Sequence, residues 1–179
     1  NQSRIGYIEI LNKMGAKIKI KNTKVRYGEK QGDIYVKSQP NLKKINCPSS
    51  LNSNLIDEFL IIFLAAAKAN GISNFSNLGE LNKKESPRLK LGSKLLNQMG
   101  IKTILTKDSI EIFGNPTVNL KKTINIKNYY RDHRIFMTSV IAAFTFGGKW
   151  KINDVNSYKS SFPSFLDIIK KLGYKFKII

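Results

Sequence analysis

The sequence predicts an α+β fold built from repeated helix–strand units, with apolar helices inside and sheets outside. Three observations carry that prediction. A helix–glycine–strand motif recurs at Ile10–Ile18, Leu95–Thr103 and Ile168–Phe176, with Gly15, Gly100 and Gly173 in equivalent places. Two stretches, Asp57–Asn70 and Asp132–Phe146, are apolar on nearly all sides, the pattern of helices that are buried. Strand-like alternation of apolar and polar residues follows the repeated glycines.

Taken in order, the chain opens on a helical pattern that Gly15 stops, because glycine readily ends a helix in the left-handed conformation. Ala16–Ile20 then alternates as a strand, and Asp33–Lys37 reads as another. The apolar helix Asp57–Asn70 is expected to stop at Gly71 and give way to a short strand, Ile72–Phe75. An amphipathic helix spans Ser86–Met99, with Ser86 as its N-cap and Pro87 at the first helical position. Ile110–Phe113 is a strand. The second apolar helix, Asp132–Phe146, meets Gly147-Gly148 and the strand Trp150–Asn153. Ser161-Phe162-Pro163 opens the last amphipathic helix, Ser161–Leu172, and Tyr174–Ile178 closes the chain as a strand. Stacking such units about a pseudo-symmetry axis buries the apolar helices. The first unit lacks its apolar helix in this chain. With no low-complexity or proline-rich linker, residues 1–179 read as a single domain.

Composition bounds the function. The 179 residues are 41% hydrophobic, which excludes a disordered tail and allows one domain with a real core. The longest apolar run, Phe59–Ala67, falls short of the about 20 residues that span a bilayer, so no membrane is expected. No signal peptide is read at the start, and Asn1 is not a start methionine, so a fragment or processed piece of a cytoplasmic protein is expected. Cys47, the single cysteine, reads as a buried thiol in a reducing compartment. One histidine and one cysteine far apart do not make a metal site, so none is expected. The net charge is +19, yet only five of the 31 basic residues are arginine. The lysines are scattered, and the aromatics are embedded in apolar runs. This favours a solvated surface over a nucleic-acid-binding module, while the field would still attract small anions.

Three charged clusters stand at predicted helix starts: Asp57-Glu58, Lys83-Lys84-Glu85-Ser86-Pro87-Arg88 and Asp132-His133-Arg134. A helix start offers unpaired N–H groups and partial positive charge. Arginine adds a two-pronged grip on carboxylate or phosphate. Singly, each residue has a plainer reading. Asp57 and Asp132 would be N-caps, Arg88 and Arg134 surface ion-pair partners, His133 a packed histidine, and Lys84-Glu85 a surface pair; Glu58 is given no role. Their recurrence at equivalent points of repeated units points instead to an active site for small anions.

Together, Asn1–Arg4, Leu55-Ile56-Asp57-Glu58, Gly79–Arg88, Asp132-His133-Arg134-Ile135 and Ser160-Ser161-Phe162-Pro163 resemble the 5-enolpyruvylshikimate-3-phosphate (EPSP) synthases. The resemblance covers nearly the whole chain, as the carboxy-terminal half of such an enzyme. It implies a domain of repeated βαβαββ units around buried parallel helices, here an incomplete pseudo-threefold, with the amino-terminal lobe absent. It also implies enolpyruvyl transfer from phosphoenolpyruvate to the 5-hydroxyl of shikimate 3-phosphate, releasing phosphate on the way to chorismate and the aromatic amino acids. No cofactor or metal is implied. By resemblance, Asp57 is the proton acceptor and, with Lys84, a shikimate-phosphate contact. Glu85 serves proton transfer at the methylene carbon, Arg88 and Arg134 hold phosphoenolpyruvate, and Asp132 and His133 support the turn. Pro87, Asn82 and Phe136 depart from the family's usual aspartate, arginine and small residue. Ser160 fills a slot that is lysine in some members; neighbouring Lys159 is given no catalytic role. The sister transferase acting on UDP-N-acetylglucosamine lacks the Lys-Glu-Ser and Asp-His-Arg pattern. Without the other lobe, this chain is expected to bind phosphoenolpyruvate weakly and turn nothing over.

Overall fold

A computed structural model describes residues 4–154 and 156–178. Helix α1 (Gly6–Lys13) leads into a long antiparallel hairpin, β1 (Lys17–Arg26) and β2 (Glu29–Lys37). The middle unit follows as β3 (Leu42–Lys43), a short α2 (Asn52–Leu55), α3 (Phe59–Lys68), β4 (Ala69–Phe75), α4 (Arg88–Gln98), β5 (Thr103–Leu105) and β6 (Ile110–Gly114). Its sheet has the order β3-β4-β6-β5, with β3 parallel to β4 and the other pairs antiparallel. The last unit repeats the opening of that pattern: β7 (Leu120–Ile126), α5 (His133–Phe146) and β8 (Gly147–Ile152), with β7 parallel to β8, then α6 (Phe165–Lys171). The middle unit thus carries the βαβαββ order, apart from the extra turn of α2.

The core lies where α3, α4 and α5 pack on one another. Helix α3 is buried almost all round through Phe59, Leu60, Ile62, Phe63, Leu64, Ala66 and Ala67, as its composition requires. Helix α4 buries one side, through Arg88, Leu89, Leu91, Gly92, Ser93, Leu95 and Leu96, and leaves Lys90, Lys94 and Asn97 exposed. In β6 the period-two rule is plain: Ile110 and Ile112 are buried under α3 and Glu111 is exposed. Phe59, Phe63 and Phe75 knit α3 to β4, the Phe63–Phe75 rings lying edge to face at 5.2 Å between centroids.

The three repeated glycines do what the sequence asks of them. Gly15, Gly100 and Gly173 take φ of +93°, +83° and +88° and close α1, α4 and α6. In each, the residue after glycine bonds back five positions (Ala16 to Leu11, Ile101 to Leu96, Tyr174 to Ile169). The glycine itself bonds back three, which completes a Schellman motif.

Several boundaries differ from expectation. Helix α3 begins at Phe59, so Asp57 stands in the turn before it and caps nothing; it also ends at Lys68, with Gly71 inside β4 at φ +99°. Helix α4 starts at Arg88, and Pro87 at ψ 73° remains outside it. Ser86 does not cap it, because its hydroxyl has a buried carboxylate to serve instead. The last helix starts at Phe165 rather than Ser161, after a 3-10 turn over Ser157–Ser160. Pro163 explains this: it disfavours helical backbone at Phe162 before it. Tyr174–Ile178 is not a strand among the described residues; alternation alone makes no strand without a neighbouring edge to pair with.

Candidate active site

The site is organised by Asp132, which precedes α5 in extended conformation (φ −67°, ψ 116°). Its Oδ1 accepts the amide N–H groups of Arg134 at 2.8 Å and Ile135 at 3.3 Å, which caps the helix. Its Oδ2 accepts Ser86 Oγ at 2.7 Å and Arg88 Nε at 2.9 Å. Asp132 and Arg88 are each 1% exposed. Burial pushes the Asp132 carboxyl up, but the hydrogen bonds from Arg88 and Ser86 and the guanidinium charge more than offset it, leaving it below its ordinary value.

From Asp132 the charges run outward. Arg88 turns its terminal nitrogens to Glu85, with which it hydrogen-bonds, and to Asp57, 3.5 Å away. Asp57 gathers four cations: Arg4 at 2.8 Å, Arg88 at 3.5 Å, Arg134 at 3.6 Å and Lys84 at 4.0 Å. Arg134 also donates to the Asp57 backbone carbonyl at 2.7 Å, which ties the head of α5 to the turn before α3. Burial would raise Asp57, but Arg134, the Arg4 hydrogen bond and Lys84 pull it down further, and its carboxyl stays below the ordinary range. Beside it, burial pushes Glu58 up despite Arg134, and Glu58 Oε2 is buried with no hydrogen-bond partner among the described residues.

The backbone approaching Asp132 is strained. Asn128, Tyr130 and Arg131 all take left-handed φ, from 54° to 59°, which bulky residues rarely adopt. Tyr129 is hydrogen-bonded to the Asn153 carbonyl, and Arg131 is paired with Asp154 at 2.9 Å, so the loop after β8 anchors this segment. Among the described residues, no group of three or more His, Cys, Asp or Glu side chains is placed to hold a metal ion. No single helix among them is long and apolar enough to cross a membrane.

The family model of EPSP synthase (3-phosphoshikimate 1-carboxyvinyltransferase) matches residues 1–169. The chain belongs to the EPSP synthase family. It is 39% identical over 173 residues to the 3-phosphoshikimate 1-carboxyvinyltransferase of Thermodesulfovibrio yellowstonii, covering 96% of this chain and 39% of that protein. Over 179 residues it is 36% identical to that of Ruthia magnifica, covering 100% and 40%. EPSP synthase from Acinetobacter baumannii superposes with a TM-score of 0.87 at 33% identity, over 96% of this chain and 39% of that one. The enolpyruvyl transferase NikO from Streptomyces tendae, at 14% identity and a TM-score of 0.69 over 96% and 36%, shares the α+β fold. The chain therefore spans about two-fifths of the length of the relatives it matches.

Against the residues expected from sequence, the EPSP synthase fold brings Asp57, Lys84, Glu85, Arg88, Asp132 and Arg134 into one charged cluster. His133 opens α5 half-buried, and the bonds that fix its turn are those of Asp132. Two participants were not assigned from sequence. Arg4 belongs to the Asn1–Arg4 motif, which by itself assigns it no role, and Ser86 reads from sequence as a helix cap.

Proposed function

We propose that residues 1–179 form the carboxy-terminal lobe of a 3-phosphoshikimate 1-carboxyvinyltransferase, working with a further lobe of the same enzyme. The reaction joins the 5-hydroxyl of shikimate 3-phosphate to the enolpyruvyl carbon of phosphoenolpyruvate and releases phosphate. The observation that carries this reading is the convergence of Arg4, Lys84, Arg88 and Arg134 on Asp57, beside Glu85. Both substrates are multiply charged anions, so a site for them needs fixed cations.

In this reading Arg88 and Arg134 hold phosphoenolpyruvate, and Lys84 and Asp57 contact shikimate 3-phosphate. Asp57 takes the hydroxyl proton, and Glu85 moves a proton at the methylene carbon. Asp57 is a weak base while Arg134, Arg4 and Lys84 hold its carboxyl down. Substrate carboxylate and phosphate engage those same cations, so the field on Asp57 relaxes and its basicity rises as the site fills. The base is thereby strengthened when its substrates are present. Arg88 has its own exchange to make. With its guanidinium already facing three carboxylates, it takes a substrate anion by releasing Glu85 or Asp57, which frees those groups for proton transfer.

The setting belongs to the same proposal. We place the enzyme in the cytoplasm, a setting in keeping with one buried thiol, Cys47, that burial has pushed up to about 11 and made unreactive. A further lobe is supported by the span of two-fifths of the relatives' length. Phosphate release from phosphoenolpyruvate and shikimate 3-phosphate tests the reading. The complete enzyme is expected to turn over and this chain alone is not; turnover by the complete enzyme with UDP-N-acetylglucosamine instead would sink the substrate assignment.

A further inference from the structure

We infer that Ser86 is a positioning residue of this site: its hydroxyl locks the Asp132 carboxylate that in turn sets the plane of the Arg88 guanidinium. The inference rests on the enolpyruvyl-transfer reading above for its kinetic consequence, but not for its geometry. Ser86 lies in the turn between Glu85 and Arg88 and is 3% exposed. A serine just before a helix ordinarily turns its hydroxyl onto that helix's free amides. Here α4 is left without a side-chain cap, and the hydroxyl crosses to Asp132 Oδ2 at 2.7 Å, beside Arg88 Nε at 2.9 Å. With Arg134 and Ile135 amides on Oδ1, all four acceptor positions of the carboxylate are filled.

That completeness has a mechanical meaning. A carboxylate turns easily about its last torsion unless its partners hold it. The amides fix one oxygen; Ser86 and Arg88 fix the other from two directions. Arg88 is planar, so the orientation of Nε–H on Asp132 dictates where its two terminal nitrogens point, namely to Glu85 and Asp57. The groups around Asp132 are thus Ser86 and Arg88 from the α4 side and the backbone amides of α5, with Glu85 and Asp57 reached through Arg88. Removing the hydroxyl leaves a sealed oxygen with one donor, which lets carboxylate and guanidinium tilt together.

The experiment uses the complete enzyme carrying Ser86→Ala or Ser86→Thr. Ser86→Ala is expected to raise the KM for phosphoenolpyruvate about tenfold, a charged hydrogen bond's share, with a smaller loss in kcat. Ser86→Thr, which keeps the hydroxyl, is expected to return KM to within about twofold of the parent. Exchange of the Arg88 Nε–H proton, followed by NMR and assigned with Arg88→Lys, is expected to quicken in Ser86→Ala alone. An unchanged KM and unchanged Nε–H exchange in Ser86→Ala overturn the inference, as does a threonine variant as impaired as the alanine one. If the parent enzyme transfers no enolpyruvyl group at all, the proposed function falls, while the exchange measurement still decides the role of Ser86.

Discussion

Asp132 couples two parts of the chain that are 44 residues apart in sequence, through one buried carboxylate. Asp132→Ala strands the Arg88 guanidinium without its buried partner and removes the cap of α5. It is expected to destabilise the protein by about 3–5 kcal/mol, read as a fall in the urea midpoint. Both Asp57 and Asp132 are held below their ordinary values, so each adds stability that is present above the ordinary carboxylate value and lost as pH falls through its lowered folded value. Unfolding followed by circular dichroism should therefore set in below about pH 4. Glu58 has the opposite sign. Its raised carboxyl favours the folded state when protonated, so its charge costs stability at neutral pH. Glu58→Gln is expected to raise the melting temperature at pH 7, with the gain shrinking on acidification; a lower melting temperature at neutral pH would contradict the burial argument. At this scale the charged residues were legible, because Lys84-Glu85, Arg88 and Asp132-His133-Arg134 advertise their chemistry in short motifs. The roles of Arg4 and Ser86 were not, because each depends on a partner 53 or 46 residues distant in sequence.

At the scale of elements, the three Schellman caps show why the repeat could be read by eye: a glycine at a fixed offset from a helix face is a local signal. Not all the glycines are equal. Gly100 has positive φ with open space around it, whereas a Cβ on Gly114 would strike the carbonyl oxygens of Ala69 and Ala66. Gly100→Ala is expected to cost about 1–2 kcal/mol, the strain of the left-handed conformation alone. Gly114→Ala must push β6 off the end of α3 and is expected to cost more than that; equal urea midpoints for the two variants would refute the distinction. Helix and strand boundaries were less legible than their existence. The buried carboxylate that diverts Ser86 and the lack, among the described residues, of a strand beside Tyr174–Ile178 are both tertiary facts. The stop expected at Gly71 failed for a different reason: α3 already ends at Lys68, and the glycine takes its positive φ inside β4.

At the scale of the whole molecule, the β1–β2 hairpin stands apart. Ile18 pairs with Val36 and Ile20 with Ile34, so one face of the hairpin is apolar, and Val36 is 64% exposed. The opposite face carries Lys17, Lys19, Lys21 and Lys37. In the middle unit the corresponding pair, β5–β6, buries Ile110 and Ile112 under α3 and pairs β6 with β4. Among the described residues β2 has no such companion. The isolated chain is expected to self-associate through this face, as read by light scattering, and Ile34→Lys with Val36→Lys to keep it monomeric and to destabilise the complete enzyme. Indifference of both to the changes would show that this face is never covered. A row of unpaired backbone donors and acceptors beside an apolar surface is what a further strand pairs with, so amide exchange along β2 should be fast in the isolated chain and slow wherever a strand is laid against it.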